Sequence, residues 1–192
     1  MLCYKIMAEH NVGNDTKKTD VHIGFPSFNK IFVAYDGMEM SKKALNYAAY
    51  FSKISDSEIV LIHVIKHNRD LNKVLPLTIN VNLEGNEQQL HIPGSQQGIL
   101  LDEPLRKVVE EMIIACKAAG LTKKIVYELR MGKPADEIIN ICSVIRFDLI
   151  IMGSRRIASR IEAVGSTTRK VLTKVKTPTL IVQKHLTYKD EY

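Results

Sequence analysis

The chain has 192 residues, 45% of them apolar and 25% charged, and a net charge of +6. That is enough chain for one domain with a sizeable core, with the composition of an ordinary soluble globular protein. No apolar run is long enough to span a bilayer as a helix, and the opening MLCYKIMAEHNVGNDTKK lacks the apolar stretch of a secretory signal. The three cysteines, Cys3, Cys116 and Cys142, lie far apart and form no metal-binding spacing. Cys116 and Cys142 fall on apolar stripes, so buried free thiols and a reducing cytoplasm are expected.

Residues 1–28 are polar and aperiodic and read as a flexible N-terminal arm. KIFVAY, Lys30 to Tyr35, is the first predicted strand. Asp36-Gly37 ends it, and Ser41 is placed to cap a helix that buries Ala44, Leu45 and Ala48. EIVLIHVI, Glu58 to Ile65, is almost continuously apolar, as in a strand buried on both faces. His63 interrupts it and reads as a hydrogen-bonded structural residue. Residues 66–100 form a long insertion with prolines, glycines and many amides and no sustained period. Within it Leu77 to Leu83 alternates well enough for one arm of a hairpin, with Gln88 to Ile92 as its partner. Glu103 to Ala119 is a helix with Leu105, Val109, Met112, Ile113 and Cys116 on one face, started by Pro104 and stopped by Gly120. KIVYELR, Lys124 to Arg130, is the third strand. After Met131-Gly132-Lys133-Pro134 comes a helix burying Ala135, Ile138, Ile139 and Cys142. Phe147 to Met152 is the fourth strand, and Pro178 to Lys184 the fifth, before a short tail at 186–192. Strands and helices alternate throughout, which implies right-handed crossovers and an open parallel α/β sheet with helices on both faces.

The stretch from Asp148 to Leu172 organises the rest. Gly153 ends the fourth strand, a basic loop follows, and Gly165-Ser166-Thr167-Thr168 opens a helix whose apolar stripe is Thr168, Val171, Leu172 and Val175. A helix N-terminus carries unpaired N–H groups and partial positive charge, and glycine lets a phosphate approach the backbone. The plainer reading is a strand-to-helix connection with Ser166 as N-cap. From Gly153 to Lys176 seven basic residues face one acid, Glu162, a surplus equal to the charge of the whole chain. Such a field suits an anionic ligand. Without interleaved aromatics it does not suit nucleic acid. Asp36, at the carboxyl end of the first strand, would meet Gly153 across the crevice where ligands bind in open α/β sheets. Its alternative role is to bond its own turn.

From Lys30 to Lys184 the chain resembles the universal stress protein family. The resemblance rests on VAYDGMEMSKKAL, IVLIHVI, MGKPADEII and FDLIIMGSR…GSTTRKVL…TPTLIVQK, which cover all five strands in order. It implies a flavodoxin- or Rossmann-like single domain over residues 29–185, with strand order 3-2-1-4-5. It also implies homodimers pairing their fifth strands, here Thr179, Leu180, Ile181 and Val182. One branch of the family binds ATP through a glycine, two residues, a second glycine, nine residues, then Gly-Ser or Gly-Thr. Gly153 and Gly165-Ser166 match, but Arg156 replaces the second glycine and only eight residues separate it from Gly165. By resemblance Ala34, Tyr35 and Asp36 surround base and ribose, with Val64 and Met152 beside them. Gly153, Gly165, Ser166 and Thr167 meet the phosphates, with Arg155 or Arg156 able to donate to them. Asp36 would help hold Mg²⁺, and no tightly bound metal is expected.

The leading expectation is therefore a cytoplasmic, dimeric stress-response protein that binds an adenine nucleotide (ATP, ADP or AMP). No nucleophile–base pair or paired carboxylates stand out in the crevice, so hydrolysis of ATP ranks below binding. The competing expectation is a dimeric interaction module with a degenerate glycine loop, acting through its dimer face and its insertion.

Overall fold

The computed structural model describes residues 27–65, 76–81, 83, 103–123, 125–154 and 164–183. Along them run β1 (Lys30–Tyr35), α1 (Glu39–Ser55), β2 (Glu58–Ile65), β3 (Leu77–Val81), α2 (Glu103–Ala118), β4 (Ile125–Met131), α3 (Pro134–Val144), β5 (Leu149–Gly153), α4 (Ser166–Lys174) and β6 (Thr179–Val182). The strands form one sheet in the order β3-β4-β2-β1-β5-β6. β1 pairs in parallel with β2 and β5, β2 with β4, and β5 with β6. Without β3, this is the expected order of five parallel strands.

The expected hairpin arm is a strand, β3, and it joins the main sheet. It lies antiparallel on β4, with Leu77 opposite Leu129 and Val81 opposite Ile125. Leu77, Ile79 and Val81 enter the core, while Thr78 and Asn80 are more exposed. The alternation is that of a half-buried strand, and β4 supplies backbone partners along one of its edges. Gln88 to Ile92 lies outside the described residues, as does most of the insertion.

The alternating side chains of the central strands build two cores. Ile31, Val33, Ile59, Leu61, Leu149 and Ile151 pack with Ala44, Leu45 and Ala48 of α1 and Val109, Met112 and Cys116 of α2. Phe32, Val60, Ile62, Ile150 and Met152 pack on the other face with Ile138 and Ile141 of α3 and Val171 of α4. Phe32 and Phe147 add a tilted ring contact at 4.9 Å. Cys116 is buried and Cys142 half-buried, both free thiols. Burial pushes the Cys116 thiol up to about 12 and that of Cys142 to about 11, which keeps both protonated and unreactive.

The chain joins this body slightly earlier than the expected arm of residues 1–28 allows. Phe28 meets Phe51 edge-on at 5.6 Å. The Asp148 carboxylate accepts the amides of Asn29 and Lys30 at 2.8 and 2.9 Å, fixing the start of β1 beside the start of β5. Residues 1–26 and the tail at 186–192 lie outside the described residues.

Two helix starts also differ from expectation. α1 begins at Glu39 with Met38 as N-cap, and no side chain caps it. Ser41 sits inside the first turn, where its hydroxyl donates to the Met38 carbonyl at 2.9 Å. The helix starts early because Gly37, at φ +76, completes a tight turn, and the Asp36 carboxylate accepts the Met38 amide at 3.0 Å. In α4 the N-cap is Gly165, not Ser166, again without a side-chain cap.

Candidate functional site

β1 lies between β2 and β5, and the chain leaves β1 for one face of the sheet and β5 for the other. This divergence opens a crevice at the carboxyl edge. A cleft of about 280 Å³ occupies it, near the lower end of the roughly 300–1,000 Å³ typical of small-ligand sites. Its apolar side is made by Ala34 of β1, Ile62 and Val64 of β2, Met152 of β5, and Pro134 and Ile138 of α3. Its polar side is made by Asp36, Ser41, Ser154, Ser166, Thr167 and Thr168, with Gly153, Gly165 and Met40 between them. The first turns of α1, α3 and α4 all reach this lining, because each follows the carboxyl end of a parallel strand.

The two glycines that suggested a phosphate loop do different work. A Cβ on Gly153 would lie 2.7 Å from the Met40 carbonyl carbon and 2.8 Å from the Ser41 nitrogen. Gly153 is therefore required for the close packing of α1 on β5. Its amide neighbour is also committed, since Ser154 N–H donates to the Val182 carbonyl at 2.8 Å. Among the described residues, a Cβ on Gly165 would meet only the Ser154 hydroxyl, at an ordinary 3.9 Å. Gly165 lines the cleft, so the space its missing side chain leaves is open to a ligand. Its amide donates to Ser154 Oγ at 3.1 Å, a bond that aims the first turn of α4. The amides of Ser166, Thr167 and Thr168 head that helix, and its N-cap, Gly165, has no side chain to cap them.

Tyr35 reaches the cleft differently from the expectation. Its side chain is buried in the α1–α2 core, on the opposite face from Ala34 and Ile62. Period-two alternation therefore leaves only its main chain for the cleft side. Burial raises its phenol above the ordinary value. The Tyr35 carbonyl accepts His63 Nδ1–H at 3.1 Å, the structural bond expected of that histidine, and burial holds His63 below the ordinary imidazole value. Asp36 is exposed and makes the turn bond described above, the alternative its position allowed.

Ala34, Tyr35, Asp36, Val64, Met152, Gly153, Gly165, Ser166 and Thr167 are thus brought to one cleft. Arg155 and Arg156 lie outside the described residues. Sequence reading missed Met40, Ser41, Ile62, Pro134, Ile138, Ser154 and Thr168. A signal existed for two of these: Ile62 is two residues before Val64 and so shares its face, and Thr168 begins the apolar stripe of α4. Among the described residues no group of three or more histidine, cysteine or acidic side chains is placed to hold a metal ion. No helix among them is long and apolar enough to cross a membrane. Thr179 to Val182 form the edge strand β6, with the first three half-buried and Val182 buried.

Comparison with known proteins agrees with this architecture. The sequence model of the universal stress protein family matches residues 27–183. The chain is 30% identical over 158 residues to universal stress protein YxiE of Bacillus subtilis (strain 168), covering 81% of this chain and 99% of that protein. The fold is similar to that of universal stress protein UspA from Lactobacillus plantarum, with a TM-score of 0.56 at 19% identity, covering 82% of this chain and 99% of the other. It is also similar to a universal stress protein solved in complex with cAMP, with a TM-score of 0.54 at 19% identity, covering 82% and 98%. The matched span takes in every strand of the sheet and both walls of the cleft, and on that ground the chain belongs to the universal stress protein family.

Proposed function

We propose that this protein binds an adenine nucleotide in the cleft between β1 and β5 and acts as a stress-response dimer. The observation that carries the reading is the start of α4. There, among the described residues, the amides and hydroxyls of Ser166, Thr167 and Thr168 stand beside a glycine that lines the cleft and has no side chain to cap them. That is a fitting seat for a phosphate group. Across the cleft the apolar surface of Ala34, Ile62, Val64, Ile138 and Met152 suits the flat face of a base. Asp36 and the Tyr35 main chain belong to the same lining and suit a ribose, and Asp36 is the acidic side chain of that lining that a Mg²⁺ accompanying the phosphates would meet. The relative solved with cAMP supports an adenine ligand of this class.

A second reading, a dimeric interaction module, is favoured by Gly153. The first glycine of the motif is accounted for by helix packing, and Arg156 replaces the second.

Native purification followed by mass spectrometry of bound small molecules, with calorimetry against ATP, ADP, AMP and GMP, separates the two. An adenine nucleotide recovered with the protein and heat on titration support the site. Ser166→Ala should then weaken binding by about 1.5–3 kcal/mol, the usual value of a hydrogen bond to a charged group. Arg156→Gly decides whether that arginine contacts phosphate, in which case affinity falls, or obstructs the loop, in which case it rises. No heat with any nucleotide, in wild type and Arg156→Gly alike, would leave the interaction module.

A further inference from the structure

On the cleft side of the sheet, β3, β4 and α3 are joined by a run of polar side chains. Thr78 Oγ1 on β3 donates to Glu128 Oε1 on β4 at 2.8 Å. The other oxygen of that carboxylate receives Arg130 Nη2 at 3.3 Å. Arg130 Nη1 stands 3.7 Å from Glu137 Oε2, in the first turn of α3. Pro134 and Ile138, on either side of Glu137 in that turn, line the cleft. Arg130 is itself level with Val64, another lining residue, in the β2–β4 register. The junction is tight: the Gly132 amide donates to the Ile65 carbonyl at 3.0 Å, and a Cβ on Gly132 would lie 3.2 Å from the Glu137 carboxylate. Glu128 is buried, so these contacts are less screened than surface pairs. Arg130 Nε is buried without a partner among the described residues, so the two carboxylates hold the guanidinium in place.

We propose that Arg130 is a positioning residue of the cleft, and that through it cleft occupancy and docking of β3 stabilise each other. The inference rests on the nucleotide reading above. A ligand packed on Pro134 and Ile138 fixes the first turn of α3. That holds Glu137 against Arg130, Arg130 against Glu128, and Glu128 against Thr78. β3 is the element whose docking the link would strengthen. It is five residues long, and among the described residues its backbone ladder runs to β4 alone, so its docking is weaker than that of the central strands. By linkage the effect runs both ways: loosening β3 must lower affinity for the ligand by the factor that the ligand tightens β3.

Thr78 is not part of the cleft lining, so it tests the link without touching the site. The probe is whichever of AMP, ADP and ATP binds wild type most tightly, and the readouts are calorimetry and hydrogen exchange of Leu77–Val81. Saturating nucleotide should slow exchange of this segment at least threefold. Thr78→Val, which keeps shape and loses the hydroxyl, should bind nucleotide several-fold more weakly. Thr78→Ser should restore wild-type affinity. Wild-type affinity in Thr78→Val, with its β3 exchanging faster, overturns the link. If Thr78→Val does not fold, wild type decides alone: unchanged β3 exchange at saturating nucleotide overturns the proposal. Absence of binding to wild type is a different outcome, which fells the nucleotide reading and the link with it.

Discussion

Replacing Gly153 by alanine puts a methyl group against the backbone of Met40 and Ser41, inside normal contact distance. Backbone cannot swing away as a side-chain tip can, so α1 must shift. The cost expected is that of an overpacked core, about 1–3 kcal/mol. Gly165→Ala meets no such obstacle among the described residues, and its φ of −59° is open to any residue. It should cost at most about 1 kcal/mol, the order of a helix-cap change, while its methyl group occupies the space assigned to phosphate. Thermal denaturation and nucleotide titration should therefore dissociate. Gly153→Ala lowers the melting temperature strongly, whereas Gly165→Ala barely moves it and loses binding. Gly165→Ala binding as wild type would remove Gly165 from the site. That these glycines mattered was legible in the sequence from their place between strand and helix. Their division of labour was not, because the neighbour that excludes a side chain at Gly153 comes from α1, far away in the chain.

Among the elements, the parallel strands and their helices were legible because each buries a face that shows in its period: IVLIHVI for β2, and Leu105, Val109, Met112 and Cys116 for α2. β3 was only half legible. Leu77, Ile79 and Val81 announce a half-buried strand, but the alternation fixes only which face is buried and not which strand is the neighbour. The α1 start was misplaced for a similar reason, since Ser41 has the chemistry of a cap and the Asp36-Gly37 turn leaves that place to Met38. Between β1 and β2, the burial of His63 makes a pH prediction. Burial lowers the folded-state pKa of His63, so below about pH 6.5 the unfolded chain binds a proton that the folded chain resists. This contribution to stability is complete above that pH and is lost as pH falls through the folded value. Urea denaturation across pH 5–8 should show a shallower acid-side decline in His63→Gln. An unchanged decline would assign the loss to other groups.

At the scale of the whole molecule, the two outer strands of the sheet differ. β3 covers the outer side of β4, and β6 is the last strand at the other end. The carbonyls of Pro178 and Val182 accept from Ile150 and Ser154 and so point toward β5. By alternation Thr179 and Ile181 direct their backbone groups outward, where a second β6 would pair. An apolar edge of this kind is an aggregation hazard unless covered, and the dimer proposed above would cover it. Light scattering at micromolar concentration should give a dimer for wild type and a monomer for Ile181→Pro, which removes an outward donor and leaves the β5 ladder intact. A monomeric wild type would count against the assembly. The central place of β1 also has a consequence in time. Its β2 neighbour follows at once, but the carboxylate that pins it to β5 comes 118 residues after Lys30. At the usual rate of synthesis, roughly 5–20 residues per second, one side of β1 waits on the order of 6–24 s for its partner. Of the two pairings of β1, the one with β5 can therefore form only after nearly all of the sheet has been synthesised.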